Sequence, residues 1–324
     1  VIWVEPGSPD DKIVGFNYFD TNHEYGTAQH ENEVTEITED FVSLLKASDP
    51  TWGATMDAVA KAISRQLIRS EETFTIGDMY RIITDDEQRE KFAEEFGDDT
   101  ESMFLDRLKE FYDEKEFDPL IKRFRDWLDD RNTREIVSHR NSKIDITEVV
   151  EGNKILLVRL ANIPSDDIQS LITTSIVRRI WSTVKARQSI PKSERKPYFV
   201  IMDEFNQLSK GAMNIKNMLS KGRSFRLSLT IATQAPTQLP DDIMEEILTN
   251  VDNLCTFNPG ANPVAVSPLA SRYDLHPSEL QSLNRYELLA KLNVGTKSTD
   301  GLLINTFPPY PPRRTRAESE KVIE

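Results

Sequence analysis

The sequence has 324 residues with a single cysteine, only 12 glycines and no long apolar run. Because Cys255 has no second cysteine to pair with, an internal disulfide and a cysteine-based zinc site are both excluded. No stretch approaches the roughly 20 apolar residues that a membrane-spanning helix needs. The 40 Lys+Arg are outnumbered by 54 Asp+Glu, for a formal net charge of −14, which excludes a protein that coats nucleic acid through overall positive charge. We expect a folded cytoplasmic protein.

Residues 31–143 form an acidic segment with helical periodicity. Apolar residues recur at steps of three and four, beginning with Trp52, Met56 and Val59. The same spacing continues in Phe104, Leu105, Leu108, Phe111, Phe117, Leu120, Ile121, Phe124 and Leu128. Residues 85–118 contain fifteen acidic and five basic residues. We predict an inserted all-α domain with acidic, solvated outer faces.

Short apolar runs alternate with longer amphipathic runs over residues 144–307. The apolar runs predict strands at Ile155–Leu160, Tyr198–Met202, Leu227–Ala232, Leu254–Phe257, Leu288–Leu292 and Leu302–Thr306. The amphipathic runs predict helices at Asp166–Arg187, Asn214–Lys221 and Pro240–Val251. This alternation indicates an α/β core, in which a mostly parallel sheet is covered on both faces. Residues 1–30 add a strand, Val1–Val4, and a loop to this core, and 308–324 form a proline-rich, basic tail.

Two predicted strands are followed by polar residues suited to nucleotide chemistry. Asp203 and Glu204 come directly after Tyr198–Met202, and Gln234 follows Leu227–Ala232. In open α/β sheets, ligands bind at the carboxyl ends of the strands. An acid pair there can hold Mg²⁺ and polarise a water, and an amide can bond a phosphate oxygen without adding charge. Each motif alone is also compatible with an ordinary polar turn.

Basic residues crowd the segment between these two strands. They are Lys210, Lys216, Lys221, Arg223 and Arg226. A guanidinium beside Gly222 can reach a phosphate, including one bound to a neighbouring subunit. The same charges are candidates for contacts with a DNA backbone, and subunit contact or simple solvation would explain them equally well.

The order and spacing of these motifs resemble the HerA–FtsK superfamily of DNA-pumping ATPases. The blocks that carry the resemblance are Asp203–Leu208, Met218–Leu229 and Ala232–Leu239. Within the superfamily, the sequence is most similar to conjugative coupling proteins of type IV secretion (TraG/TraD type) and their archaeal relatives. The resemblance implies a RecA-like P-loop NTPase core with a mostly parallel sheet and an inserted all-α domain.

The resemblance also implies roles for individual residues. Asp203 would be the Mg²⁺-associated acid, Glu204 the catalytic base and Gln234 the amide that senses the γ-phosphate of ATP. Arg223, and less securely Arg226, would act in trans on the nucleotide of an adjacent subunit. We therefore expect acids, amide and guanidinium to converge around one triphosphate, with ATP and Mg²⁺ as cofactors.

The partners implied by the resemblance are DNA and further copies of the chain. Such ATPases are typically hexamers with DNA in the central channel, and Lys221 and Arg226 are candidates for DNA or subunit contact. The absence of interleaved aromatic residues predicts tracking of the DNA backbone without sequence readout. A relaxase-like or other protein cargo is expected at the helical domain. Many coupling proteins are also attached to the inner face of the membrane through an upstream segment.

One element of the superfamily is missing from the sequence. There is no Gly-x-x-x-x-Gly-Lys-Ser/Thr loop, and Gly295–Thr299 is only a superficial echo of one. Either the loop lies upstream of Val1, which the start on a strand without methionine favours, or the chain is a degenerate, non-catalytic relative. Three functions stay open: a DNA-translocating ATPase, a non-catalytic assembly or cargo-recruiting module, and an ATPase of protein secretion or virus packaging.

Overall fold

The structure, a computed structural model, describes residues 1–7, 13–47, 51–95, 114–205, 213–234, 236–260, 263–295, 297–308 and 310–311. The chain divides into two units. The first is built mainly from Val1–Phe199 and Ser224–Ser228, and the second from Val200–Asn206, Lys216–Arg223 and the described residues from Leu229 onward. The predicted helix around Phe104–Phe111, Lys210 and most of the predicted tail lie outside the described residues.

The helices, numbered along the chain, occupy most of the described residues. They are α1 (Ala28–Ala47), α2 (Ala54–Arg69), α3 (Ile76–Thr84), α4 (Asp86–Glu95), α5 (Glu114–Asp129), α6 (Arg131–Val137), α7 (Ile146–Glu151), α8 (Asp166–Ala186), α9 (Met213–Lys221), α10 (Asp241–Asn250), α11 (Pro263–Arg272) and α12 (Pro277–Gln281). The predicted all-α segment is thus helical in its described part, and its limits at 31 and 143 stay a prediction. None of the described helices is long and apolar enough to cross a membrane.

The strands are short. They are β1 (Ile2–Val4), β2 (Leu156–Val158), β3 (Tyr198–Met202), β4 (Leu227–Ile231), β5 (Leu254–Thr256), β6 (Glu287–Lys291), β7 (Asn293–Val294), β8 (Lys297–Ser298) and β9 (Leu302–Asn305). Seven of them, all but β7 and β8, match the predicted strands within two residues at each end. The sequence pattern therefore locates the strands well, although it does not give their direction.

The core of the first unit is formed by α1, which packs against α2 and α8. Its buried residues include Val34, Ile37 and Phe41, at the steps of three and four that an amphipathic helix needs. The Phe41 ring lies 5.3 Å from Tyr18 and 6.4 Å from Phe124 between ring centroids. This aromatic cluster joins the segment before α1 to the helical part of the unit.

Two strand pairs are parallel, as predicted. β1 pairs with β2, with Trp3 opposite Leu157. β3 pairs with β4, where the Tyr198 amide donates to the Arg226 carbonyl at one end and the Ala232 amide donates to Met202 at the other. Because the partners advance together along both strands, β3 and β4 run in the same direction.

The second unit corrects the prediction of a mostly parallel sheet. Its largest sheet has the order β5-β6-β9, and both pairings are antiparallel. The strands face a small core of Val266, Ala270, Tyr273, Leu280 and Leu289. Apolar runs of three to five residues can join a sheet in either direction, so the pattern alone did not exclude this arrangement.

The predicted coverage of both sheet faces is also wrong for the described part of the chain. In β3, the side chains of Phe199 and Ile201 are 69% and 76% exposed. The paired residues Trp3 and Leu157 are exposed too, as is every residue of β9. Parallel sheets in α/β proteins are normally covered on both faces, so these strands have an apolar face without a covering layer among the described residues.

Candidate functional site

The acid pair and the amide lie at the same edge of the β3–β4 pair. Ala232 joins the strands just beyond their ends: its amide donates to the Met202 carbonyl (2.8 Å), and its carbonyl accepts from the Phe205 amide (2.9 Å). Asp203 and Glu204 lie between these two bonds, and Gln234 lies two residues beyond Ala232. All three side chains are exposed. These three residues therefore lie at one sheet edge, as their places after two strands predicted, whereas their roles stay a prediction.

The backbone at the acid pair has a conformation that few residues adopt. Glu204 has φ of +50°, in the left-handed region, which costs a non-glycine residue about 1 kcal/mol or more. The Glu204 amide donates to Asp203 Oδ1 (2.9 Å), and the next residue, Phe205, is fully buried. Burial of Phe205 and its bond to Ala232 hold this turn, so both carboxylates remain at the surface. Backbone strain of this kind is frequent at functional sites.

The chemistry available at this edge suits a magnesium nucleotide. Among the described residues, no three His, Cys, Asp or Glu side chains are grouped as a metal site. A Mg²⁺ near Asp203 would therefore take its other ligands from phosphate oxygens and water, as Mg²⁺ commonly does at nucleotide sites. The residues present fit that arrangement, because they offer carboxylate oxygens and one neutral amide.

Arg223 and Arg226 lie at the other end of β4. Arg223 belongs to the 3₁₀ turn Gly222–Phe225, and Arg226 directly precedes the strand. Because the Arg226 carbonyl accepts from the Tyr198 amide at the start of β3, these arginines are separated from Gln234 by the length of β4, about 16 Å for five residues. The structure does not bring the guanidinium groups to the edge that carries the acids and the amide.

Two lysines of this segment, Lys216 and Lys221, lie on α9. Lys216, on α9, forms an ion pair with Asp242 in the first turn of α10, and its hydrogen bond lowers the pKa of the Asp242 carboxyl. Lys216 therefore has an acidic partner, which weakens its case as a phosphate contact. Lys221 is exposed at the end of α9, where a DNA or subunit contact stays a prediction.

The segment Gly295–Thr299, which superficially resembles a phosphate-binding loop in sequence, lies in a β-hairpin. β7 and β8 pair antiparallel, with Val294 opposite Lys297, and Gly295 has φ of +65° in the turn. A phosphate-binding loop leads from a strand into a helix, whereas this segment leads back into a strand. The structure agrees with the interpretation that this segment is not the missing loop.

Two features of the site gave no sequence signal. One is the anchoring of the acid pair by Phe205 and Ala232, which depends on backbone bonds that any residue types could make. The other is Arg195, a buried arginine that contacts the turn carrying Arg223. It stands in the polar stretch Lys192–Lys196, which reads as a solvated loop.

Neither a family model nor a curated protein matches the sequence. Solved structures do match the fold. Over 97% of this chain and 75% of the other, it resembles the unbound bacterial conjugative coupling protein TrwB with a TM-score of 0.62 and 12% identity. For TrwB in complex with the non-hydrolysable ATP analogue ADPNP, the TM-score is 0.60 at 14% identity, over 97% and 76% of the two chains.

A second kind of protein is also similar. VirB4 of Thermoanaerobacter pseudethanolicus matches with a TM-score of 0.53 and 13% identity, over 95% of this chain and 77% of that one. The chain therefore has an α/β fold similar to that of the conjugative coupling protein TrwB and of VirB4. This confirms, at the level of the fold, the resemblance that the motifs indicated.

Proposed function

We propose that this chain forms part of a ring-shaped ATPase of the conjugation and type IV secretion kind, which moves DNA. One observation carries the proposal: the β3–β4 register brings Asp203, Glu204 and Gln234 to one sheet edge, in a fold shared with TrwB. TrwB itself has been solved with ADPNP and with ADP and Mg²⁺. The same ligand chemistry suits the exposed acids and amide of this edge.

In this proposal each residue at the edge has one task. The Glu204 carboxylate would accept a proton from the water that attacks the γ-phosphate, and Asp203 would hold Mg²⁺, which supplies positive charge for the phosphates. The amide of Gln234 donates a hydrogen bond to a γ-phosphate oxygen without adding a charge. When bound, Mg²⁺ neutralises charge on the phosphates of ATP.

Arg223 acts on a neighbouring subunit, with Arg226 as a second candidate. Within one chain, both arginines are at the wrong end of β4 to reach a nucleotide beside Gln234. In a closed ring of identical subunits, opposite ends of the same strand can face successive interfaces. Their position thus supports a trans-acting role, in a homo-hexamer.

The phosphate loop would come from a segment outside the given residues. The uncovered apolar side chains of Phe199 and Ile201 support this, because they lie on β3, the strand that leads into the acid pair, and call for a further layer of structure. About a quarter of each TrwB chain also has no counterpart in this chain. A strand, loop and helix supplied there would complete both the sheet and the nucleotide site.

ATP turnover by the complete gene product tests the proposal. Glu204→Gln should lower kcat by about a hundredfold or more, because the general base is lost. Glu245→Gln, at an exposed acid of α10 in the same unit, is the matched control and should stay within about twofold of wild type. Equal turnover by the Glu204→Gln variant and wild type would exclude the assigned base.

Binding of single-stranded and duplex DNA tests the translocase function. We expect log affinity to fall linearly with log salt, with Lys221→Gln and Arg226→Gln each reducing the slope by about one. Lys216→Gln is the control, since Lys216 is already paired with Asp242. Affinity that does not change with salt would rule out tracking of the DNA backbone.

A second candidate function is a non-catalytic assembly module that recruits a relaxase-like or other protein cargo through the acidic helical segment. The absence of a phosphate loop from the sequence favours it. Complete gene product that hydrolyses no ATP but still binds such a cargo would support this candidate. Turnover without stimulation by DNA would instead favour an ATPase of protein secretion or virus packaging.

A further inference from the structure

We infer that Arg195 is a positioning residue that fixes the Gly222–Phe225 turn and thereby places Arg223. This inference rests on the trans-acting role proposed for Arg223. Arg195 lies in the loop before β3 and is only 8% exposed. Its guanidinium donates to three backbone carbonyls: from Nε to Ile190 (2.8 Å), from Nη2 to Gln188 (3.2 Å) and from Nη1 to Ser224 (2.5 Å).

The third of these bonds connects Arg195 to the turn. Ser224 directly follows Arg223, so the bond holds the Ser224–Phe225 peptide unit, one residue beyond the proposed trans-acting residue. The other two acceptors belong to the segment that follows α8. One planar guanidinium therefore joins that segment to the Gly222–Phe225 turn with a fixed geometry, which the point charge of a lysine cannot reproduce.

The contacts of the Phe225 side chain hold the turn in addition to the backbone hydrogen bond. The Arg195 guanidinium carbon lies 5.5 Å from the centroid of the Phe225 ring. Phe225 also contacts Trp181 of α8, edge to face, at 5.5 Å and 89°. The ring is thus in contact with both a cation and an aromatic side chain, which restricts its rotation.

Arg226, which follows Phe225 in the chain, shows the effect of this restraint. Arg226 has φ of +58°, a left-handed conformation that persists in a non-glycine residue only where its surroundings determine it. Its carbonyl accepts from Tyr198 at the start of β3 (3.0 Å). The turn is therefore bonded on both sides of Phe225, and Arg223 projects from a rigid base.

The contacts of Arg195 differ from those of an arginine buried for charge pairing. Within the described part of the chain, no carboxylate lies within ion-pair distance of Arg195, and its hydrogen bonds go to backbone carbonyls. Its function is then geometric. A trans-acting guanidinium needs such support, because a displacement of about 1 Å at a reacting group can cost a hundredfold in rate.

The experiment compares Arg195→Met and Arg195→Lys in the complete gene product. Arg89→Met is the control: Arg89 is also 8% exposed and donates to the carbonyls of Ile82 (3.3 Å) and Ile83 (3.0 Å), although it also pairs with the exposed Asp86 (2.9 Å), and it is far along the chain from the turn. The first measurement is amide hydrogen exchange over residues 222–227. Both Arg195 variants should exchange there about tenfold faster or more, and Arg89→Met should match wild type.

The second measurement is ATP turnover below the unfolding temperature of each variant. Arg195→Met should lower kcat by about tenfold or more with KM within about twofold. The Arg195→Met/Arg223→Ala double variant should be no slower than Arg223→Ala alone, because both changes remove the same contact. Losses that multiply would show a merely structural role and overturn the inference.

Failure of the inference is distinguishable from failure of the proposed function. Unchanged exchange over 222–227 in Arg195→Met overturns the inference whatever the turnover. Faster exchange with wild-type turnover also overturns it, provided that Arg223→Ala is slow. If Glu204→Gln abolishes turnover while Arg223→Ala does not, the trans-acting role and its support by Arg195 both fall, and the catalytic edge stands.

Discussion

The two units place their charged residues differently. The first unit buries several, including Arg178 (fully), Glu33 (2% exposed) and Arg187 (3% exposed). In the described part of the second unit, Thr256 is the only buried polar or charged residue, and the acids and amide of the candidate site are exposed. Charge is used inside the first unit to fix its own structure, and is kept at the surface of the second, where a ligand can reach it.

Arg178 and Glu33 show how the first unit accommodates buried charge. Arg178 Nη1 lies 3.8 Å from Glu33 Oε1, and Nη2 donates to the Tyr18 carbonyl (3.1 Å). Glu33 Oε2 accepts from the amides of Asn22 (2.8 Å) and His23 (3.2 Å). The carboxylate therefore both balances a buried cation and holds the loop before α1. Burial, with the charge of Asp40, raises the pKa of the neighbouring Tyr18 hydroxyl.

We expect the largest change in stability at the Arg178–Glu33 pair. Glu33→Gln should lower the free energy of unfolding by about 3 kcal/mol, because it leaves the Arg178 charge buried without a counterion. Urea denaturation at neutral pH measures the change. The control, Glu39→Gln, removes an acid of the same helix that is 44% exposed and paired with Lys61, and should cost at most about 1 kcal/mol. Equal losses in the two variants would contradict the contrast between the units.

A smaller effect is expected at the polar centre of the second unit. The Tyr273 hydroxyl bonds to the carbonyls of Leu254 and Leu289, each at 3.1 Å, and to Thr256 Oγ1 at 2.9 Å. Tyr273→Phe should cost about 1–2 kcal/mol, since it removes the hydrogen bonds of this hydroxyl from a buried site. Tyr310→Phe, at an exposed tyrosine, is the control and should have no measurable effect.

Tyr273 also predicts that the free energy of unfolding depends on pH. Burial raises the pKa of Tyr273 to about 12 from an ordinary value of 10.0. Because the folded state holds this proton more tightly than the unfolded state, the contribution is complete below about pH 10 and is lost as the pH rises towards 12. Wild type should therefore lose more stability than Tyr273→Phe between pH 10 and 12. Parallel pH curves for the two proteins would refute this.

The smallest effect is expected at the exposed pair Lys216–Asp242. Lys216→Met should change stability at pH 7 by less than about 1 kcal/mol, because solvent screens the pair. Its hydrogen bond lowers the pKa of Asp242, so the contribution is present above the ordinary value of 3.8 and disappears as the pH falls through the lowered one. Denaturation at pH 7 and pH 3 measures this difference. A loss as large as that of Glu33→Gln would show that surface pairs also stabilise the second unit.

Local signals in the sequence predicted most elements well. The helix predicted from Asp166 begins there, because the Ser165 hydroxyl accepts from the Ile168 amide and two acids occupy the first turn. The edge shared by Asp203, Glu204 and Gln234 followed from two strand ends alone. These features depend on residues close together in the chain, where propensity and periodicity act directly.

Two kinds of feature were not predicted: a helix with an internal proline, and features that depend on contacts between segments far apart in the chain. α11 was not predicted, since it contains Pro268 in its interior, a residue that normally ends a helix. The antiparallel β5-β6-β9 sheet and the uncovered face of β3 depend on which segments pack together, which an apolar run does not specify. One hydrogen bond of Arg195 spans 29 residues to reach Ser224, and nothing in the local pattern distinguishes this arginine from its solvated neighbours.

The separation of the arginines from the acids along β4 limits which assemblies can work under the proposed function. Under that proposal, a lone subunit would supply the acids and amide of one nucleotide site and the arginine of another, and would complete neither. An open row of subunits would leave an incomplete nucleotide site at each end. Under the proposed function, only a closed ring would have as many complete nucleotide sites as it has subunits.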